Sequence, residues 1–554
     1  MKALAICVAL SGGASLFAQS PLDTIPNPPP ANWFLWLGCP SPNVYFDLAV
    51  NTTITLQGMD VMLDDLPGIE GTVELYVTNA GITSYLGNEL NVANWTLAGS
   101  AVVTAAGYTA SSIAPTRVGF GAGVVLQPGS YGLAVHYSGV RAAFLSATAP
   151  VTFTTTEATM TVGSVQALSF ASTPFANYDW LGKLHYLPGA AASSAAANVE
   201  YGSGCNTTNG SFFQRFACAN TANTALSGKR LGLTFTGAGY VATPSTAAYV
   251  APTASAVALP ASDDGETMIA LTNPLPYPGG VTPVLYVNSN GFVSVASNLA
   301  LTPAIYWPSV DGVLSAPQAA WYSWHDYNPT ETGSGRIKFE EVGAMVYLTW
   351  EGVESYPALS GTTPVVNQST FQFQFDTGTG NVTYVWQTIT GVGGSNFGDE
   401  HVIGYSPGGP SPTTGAIDLA TLTGLVLAEP EVLPLSLTAT PAPLLGNTVD
   451  YVTGSENGSN LGLFFFCAAP LPGISLAALG MPECAAHVDI GQGVGNIISN
   501  LGLPGLSMTV SVPVPNVATL IGAELFGQSI WLDPAANPFG AVTSNGLRTR
   551  VGNF

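Results

Sequence analysis

Apolar and polar positions alternate with a period of two along most of this chain. The clearest run is Tyr131, Leu133, Val135 and Tyr137, which predicts a strand with one face in a core. Short runs rich in β-branched and aromatic residues also stand at 53–56, 71–78, 101–104, 118–120 and 151–155, separated by Gly, Asn or Pro. About eight strands in residues 33–187 predict a sandwich or jelly roll. A second series lies at 230–236, 267–271, 284–288, 291–295, 335–340, 344–350, 370–375 and 381–388, with Asn290-Gly291 marking a tight hairpin. A third lies at 436–439, 448–452, 461–467, 507–512, 524–531 and 540–549. The expectation is an all-β chain with almost no helix and no fixed-period repeat.

Breaks in this pattern predict the organisation. Met1-Lys2, the apolar stretch 3–10 and small residues up to Ala18 have the parts of a secretory signal peptide, cleaved after Ala18. Residues 19–32 hold Pro21, Pro26 and Pro28–Pro30 and read as a leader too stiff for a strand. The Ala/Ser-rich stretch 188–198 reads as a linker. The fold expected is therefore three consecutive β-sandwich or jelly-roll-like modules after a signal peptide: 33–187, 199–432 and 433–554.

Composition narrows the partners. The 554 residues carry 11 Lys+Arg and 33 Asp+Glu, a net charge of -22, with only 8% charged residues. Such a chain does not bind nucleic acid by neutralising phosphate, nor anionic membrane surfaces. The best candidate for a span, 461–481, is broken by Pro470 and Pro472, so no transmembrane segment is expected. Five cysteines remain after cleavage: Cys39, Cys205, Cys218, Cys467 and Cys484. Without CxxC or zinc spacing they read as disulfides, and local spacing pairs Cys205 with Cys218 and Cys467 with Cys484.

The stretch 263–420 is the most distinctive. It runs Asp263-Asp264-Gly265, then Pro276-Tyr277-Pro278-Gly279-Gly280 and Tyr286-Val-Asn-Ser-Asn-Gly-Phe292. WYSWHDY (321–327), VYLTWE (346–351), TFQFQF (370–375) and VIGYSPG (402–408) follow. This order resembles the nidogen-type extracellular domain of secreted bacterial proteins. His325-Asp326 stands where that family usually shows paired acidic residues, and a longer loop follows Phe397. Residues 33–187 and 435–554 are more loosely similar to sandwich modules of multidomain secreted proteins. The resemblance implies a role in matrix, adhesion or surface assembly, with no established catalytic site.

Candidate chemistry is sparse. Gly404–Gly408 fits GxSxG, but Pro407 and Pro410 keep a helix from following Ser406 as a nucleophile elbow requires. No catalytic set is assigned. His325-Asp326 and Asp399-Glu400-His401 have donors suited to zinc or manganese if they converge. Acidic turns at Asp60, Asp64 and Asp65, and at Asp263, Asp264 and Glu266, have the oxygen donors calcium takes, and the second is the candidate calcium site. No other cofactor is indicated. On a strand, Tyr322 and Trp324 point one way and Trp321 and Tyr327 the other. One set is expected in the core; the other, with His325 and Asp326, is the candidate contact surface for a glycan, a matrix or another extracellular surface. Two functions follow: a secreted, non-enzymatic structural or adhesive protein, or a secreted polysaccharide hydrolase drawing its carboxylates from Asp326, Glu340, Glu341 and Glu351.

Overall fold

The computed structural model describes residues 22–25, 34–35, 42–63, 65, 69–106, 108–109, 112–146, 150–166, 169–205, 208–216, 219–299, 305–356, 367–391, 400–409, 411, 417–428, 432–454, 461–498 and 507–554. Strand accounts for 55% and helix for 5%, in multiple antiparallel sheets, as the period-two pattern predicts. The expected signal region 1–18, Cys39, Asp64, Cys218, Phe397 and Asp399 lie outside the described residues.

The N-terminal region packs a four-stranded sheet against a larger one. The smaller has the order Leu22–Asp23, Gly182–Pro188, Ile54–Met62, Pro115–Leu126. In the larger, Gly129–Ser138 lies between Asn43–Val50 and Glu70–Thr78. Its alternation places Leu133, Val135 and Tyr137 in the core, where Phe46 also stacks on Trp180 at 5.2 Å. The leader departs from expectation. Leu22 is buried and pairs with Leu184, so two residues between the prolines add an edge strand. Proline disfavours a ladder only where its own N–H is needed, and a two-residue strand escapes that limit.

The 188–198 stretch is a stitched joint rather than a free linker. Ser194 and Ala195 are buried, Ala195 N donates to Phe120 O (3.0 Å), and Ala196 N donates to Phe554 O (2.8 Å). The chain then enters the C-terminal region, not the middle one. Ala197–Tyr201 pairs with Gly546–Arg550 at the edge of a sheet containing Glu524–Leu532, Gly462–Cys467 and Gly493–Ile498. Residues 208–432 are thus inserted between this strand and the rest of its sheet.

The cysteine pairing is corrected in the same place. Cys205 bonds Cys484, with Cα atoms 4.8 Å apart and a sequence separation of 279, and Cys467 is a buried free thiol. The local pairs Cys205–Cys218 and Cys467–Cys484 fail because Ala197–Tyr201 carries Cys205 to the C-terminal sheets. Cys467 instead packs against Val488 and Phe526.

The inserted middle region is built of two facing sheets. One has the order Phe212–Phe216, His401–Ser406, Ala320–Trp324, Phe292–Ser294, Gly280–Asn288, Glu266–Tyr277. The other has eight strands, among them Arg336–Val342, Met345–Val353, Ser369–Asp376 and Val382–Thr388. Between them Trp321 meets Phe375 edge-on at 5.1 Å, and Trp350 stacks on Phe371 at 4.8 Å. The outer face of the first sheet, with Phe213, Phe292, Tyr322 and Trp324, is covered by the short helix Val310–Leu314 together with Ile305.

Candidate metal centre

Asn-Gly at 290–291 turns the chain between Gly280–Asn288 and Phe292–Ser294. Gly291 has φ +85°, and a Cβ there would stand 2.2 Å from Ser323 O, so only glycine lets the hairpin sit this close to the neighbouring strand. Trp350 Nε1 donates to Ser289 O at 3.0 Å and fixes the hairpin from the opposite sheet.

That hairpin orients two acidic segments. Asn290 O accepts from His325 N (3.1 Å) and its Oδ1 accepts from Tyr327 N (2.9 Å), so the residues on both sides of Asp326 are pinned to one asparagine. Its Nδ2 donates to Asp264 Oδ1 at 2.9 Å and to Ile305 O at 3.1 Å. Ser289 and Gly265 exchange bonds, with Gly265 N donating to Ser289 Oγ and Ser289 N to Gly265 O. The result is that Asp263, Asp264 and Asp326 each bring a carboxylate oxygen within 4.8 Å of the other two.

The environment of the three is graded. Asp263 is exposed, Asp264 half-buried and Asp326 buried. Burial raises the Asp326 carboxyl to about 8, reinforced by the charges of Asp264 and Asp263. Burial raises Asp263 to about 6, with Asp264 and Glu331 adding to it. Among the described residues Asp326 Oδ1 has no hydrogen-bond partner.

Glu266 does not join this cluster. It begins the strand that follows the Asp turn, and its Oε2 accepts from Asn298 N at 2.8 Å. The third carboxylate is Asp326, far along the chain. Sequence reasoning placed Asp263 and Asp264 in one candidate site and Asp326 in another. Asn290, which joins them, has the ordinary signature of a turn residue.

The aromatic contact surface is not present. Trp321, Tyr322, Trp324, His325 and Tyr327 are all at most 1% exposed. Alternation holds, with Trp321 and Tyr327 in the core between the sheets and Tyr322 and Trp324 in the cluster under the helix. The sheet is covered on both faces, so the set expected outside is also buried. Trp324 Nε1 donates to Ile305 O at 2.7 Å.

The two histidines converge, but among the described residues they join no group of three metal-ligating side chains. His325 and His401 stack at 5.7 Å. His325 Nδ1 bonds Glu400 O (2.8 Å) and its Nε2 bonds Ser355 Oγ (3.0 Å), which occupies both ring nitrogens. His401 Nε2 bonds Ser323 Oγ (3.0 Å), which also accepts from Trp386 Nε1. Burial lowers the His325 imidazole to about 4, and burial with the neighbouring His325 holds His401 well below the usual range. Ser406 ends its strand buried, and its Oγ accepts from Gly408 N at 3.2 Å in the turn that follows.

Among the described residues the other candidate carboxylates each have hydrogen-bond or ion-pair partners. Glu340 accepts from Thr253 N (3.0 Å) and Ser255 Oγ (2.9 Å), Glu341 accepts from Thr272 N, and Glu351 pairs with Lys338 at 2.6 Å. Asp60 pairs with Arg117 and His185. Asp65 lies between Arg141 and Arg215. Comparison with protein-family models and with curated proteins gives no match. Among the described residues no helix is long and apolar enough to cross a membrane.

Proposed function

We propose that this chain is an exported, non-enzymatic structural or adhesive protein, with a nidogen-like middle module, that engages a matrix, glycan or other extracellular surface. The observation that carries the reading is how the regions are tied together. The insertion of the middle region, the bond between Cys205 and Cys484, and a buried cluster of Arg141, Arg215, Asp65 and Glu400 join parts of the chain that are distant in sequence. Such ties resist relative motion of the regions, which suits a protein that bears load or displays a fixed surface. A disulfide persists in an oxidising compartment, which agrees with export. The motif order from Asp263 to Ala420 supports the nidogen-like assignment, and the low positive charge supports a partner other than nucleic acid.

Labelling and fractionation of the native cells, followed by a glycan array with the full chain, tests the reading. Protein outside the cytoplasm that binds without turnover is the expected result. Retention in the cytoplasm, or release of reducing ends from a polysaccharide, would overturn it.

A further inference from the structure

We infer that Asp263, Asp264 and Asp326 form a calcium site that joins the turn before Glu266–Tyr277 to the segment following Ala320–Trp324. The proposal is independent of where the protein acts or what its surface binds. Acidic turns are common and by themselves indicate nothing. Here the deciding feature is Asp326, which is 7% exposed and whose Oδ1 has no hydrogen-bond partner among the described residues. A buried carboxylate oxygen without a donor is costly and rare in folded proteins. This one belongs to a residue that faces two more carboxylates rather than a base. The ion pairs found among the described residues involve none of the three.

The spacing fits a shared cation. Calcium–oxygen distances of about 2.3–2.6 Å put ligands on opposite sides of the ion about 4.6–5.2 Å apart, and adjacent ligands closer. The carboxylate oxygens here lie within 4.8 Å of one another. An all-carboxylate set with one exposed member favours calcium, which takes six to eight oxygens in flexible geometry, over magnesium, which demands a near-ideal octahedron. Zinc is disfavoured because it prefers nitrogen or sulfur ligands, and both ring nitrogens of the adjacent His325 are already engaged. Asn290 holds Asp264 through its amide and the residues flanking Asp326 through its oxygens, so the carboxylates are positioned without the ion.

The test uses the full chain stripped with a chelator and titrated with calcium chloride by calorimetry, with thermal unfolding in parallel. One equivalent bound and a melting temperature raised by several degrees are expected. Asp326→Asn, nearly isosteric, should weaken calcium binding at least tenfold. Asp263→Asn, at an exposed position that leaves the fold intact, should weaken it in the same direction. Absence of calcium-dependent heat and of any thermal shift in the stripped wild type would overturn the proposal. So would wild-type affinity in both variants, or magnesium binding as tight as calcium.

Discussion

Arg215 of the middle region and Asp65 of the N-terminal region approach to 3.7 Å in a buried cluster completed by Arg141 and Glu400. Arg215 also holds Glu400 with two hydrogen bonds, at 2.9 and 3.0 Å. Two of the eleven Lys+Arg residues in the whole chain are placed here. Two positive and two negative groups leave no net charge, and each carboxylate has a guanidinium beside it. Removing one partner strands another charge away from water, which costs about 3–5 kcal/mol when the pair is buried. Arg215→Met is therefore expected to lower stability by that order and to separate the unfolding of the N-terminal region from that of the rest. Calorimetry that still shows one unchanged transition would mean that the cluster does not couple the two.

The Cys205–Cys484 bond closes a loop that contains the entire inserted region. Replacing both cysteines by alanine should cost about 2–4 kcal/mol, the usual range for a native disulfide. Its effect should fall on the C-terminal sheets, because Cys205 and Cys484 pack there with Trp531, Ala541 and Val542. Hydrogen exchange resolved by peptide checks this: protection should drop in 524–532 and 541–543 while 320–324 stays protected. Non-reduced peptide mapping should recover the 205–484 link, and Cys467 should label with a thiol reagent only on unfolding.

Trp321→Ala and Trp324→Ala should both destabilise by about 3–5 kcal/mol, as large aromatic truncations in cores do. The two rings occupy opposite faces of one strand, yet each is walled in. Unequal effects, with one variant keeping wild-type stability, would contradict the burial of both faces. Neither substitution is expected to act on a surface ligand directly.

Much of the strand pattern was legible because alternation and turn residues carry it locally. The alternating run from Tyr131 to Tyr137 falls within the strand Gly129–Ser138, and 230–236, 370–375 and 524–531 differ from their strands by one or two residues. Asn43–Val50 escaped notice because its second face is also partly covered: Val44, Phe46, Leu48 and Val50 alternate into the core, but Tyr45 and Ala49 between them are apolar too and blur the period. The same cause defeated the reading of Trp321–Tyr327: period two says which rings share a face, not whether that face is covered. The carboxylate cluster was half legible. Asp263 and Asp264 adjoin in sequence, but the arrival of Asp326 depends on Asn290 bridging a turn and a distant segment, a tertiary fact with no local signal. The disulfide was missed for a related reason, since spacing ranks near neighbours first and an insertion places near neighbours far apart.

Acid should unfold the middle region earlier than its carboxylates alone would cause. His401 is fully buried, packed edge-on to Phe216 and Tyr327, stacked on His325 and bonded to Ser323. Burial, with the charge His325 would add, holds its folded pKa well below the ordinary 6.5. The unfolded chain therefore binds a proton first as pH falls. The stability that a neutral His401 permits is fully present above about 6.5 and is lost as pH drops from there toward the folded value, by up to about 1.4 kcal/mol per pH unit for one proton. His401→Gln removes the titrating ring while keeping a polar group for Ser323. It should lower stability at pH 7.5 and flatten the dependence between pH 6.5 and 5. Denaturant midpoints for the two proteins across that range measure the difference, and parallel slopes would mean that His401 is not the group that takes up the proton.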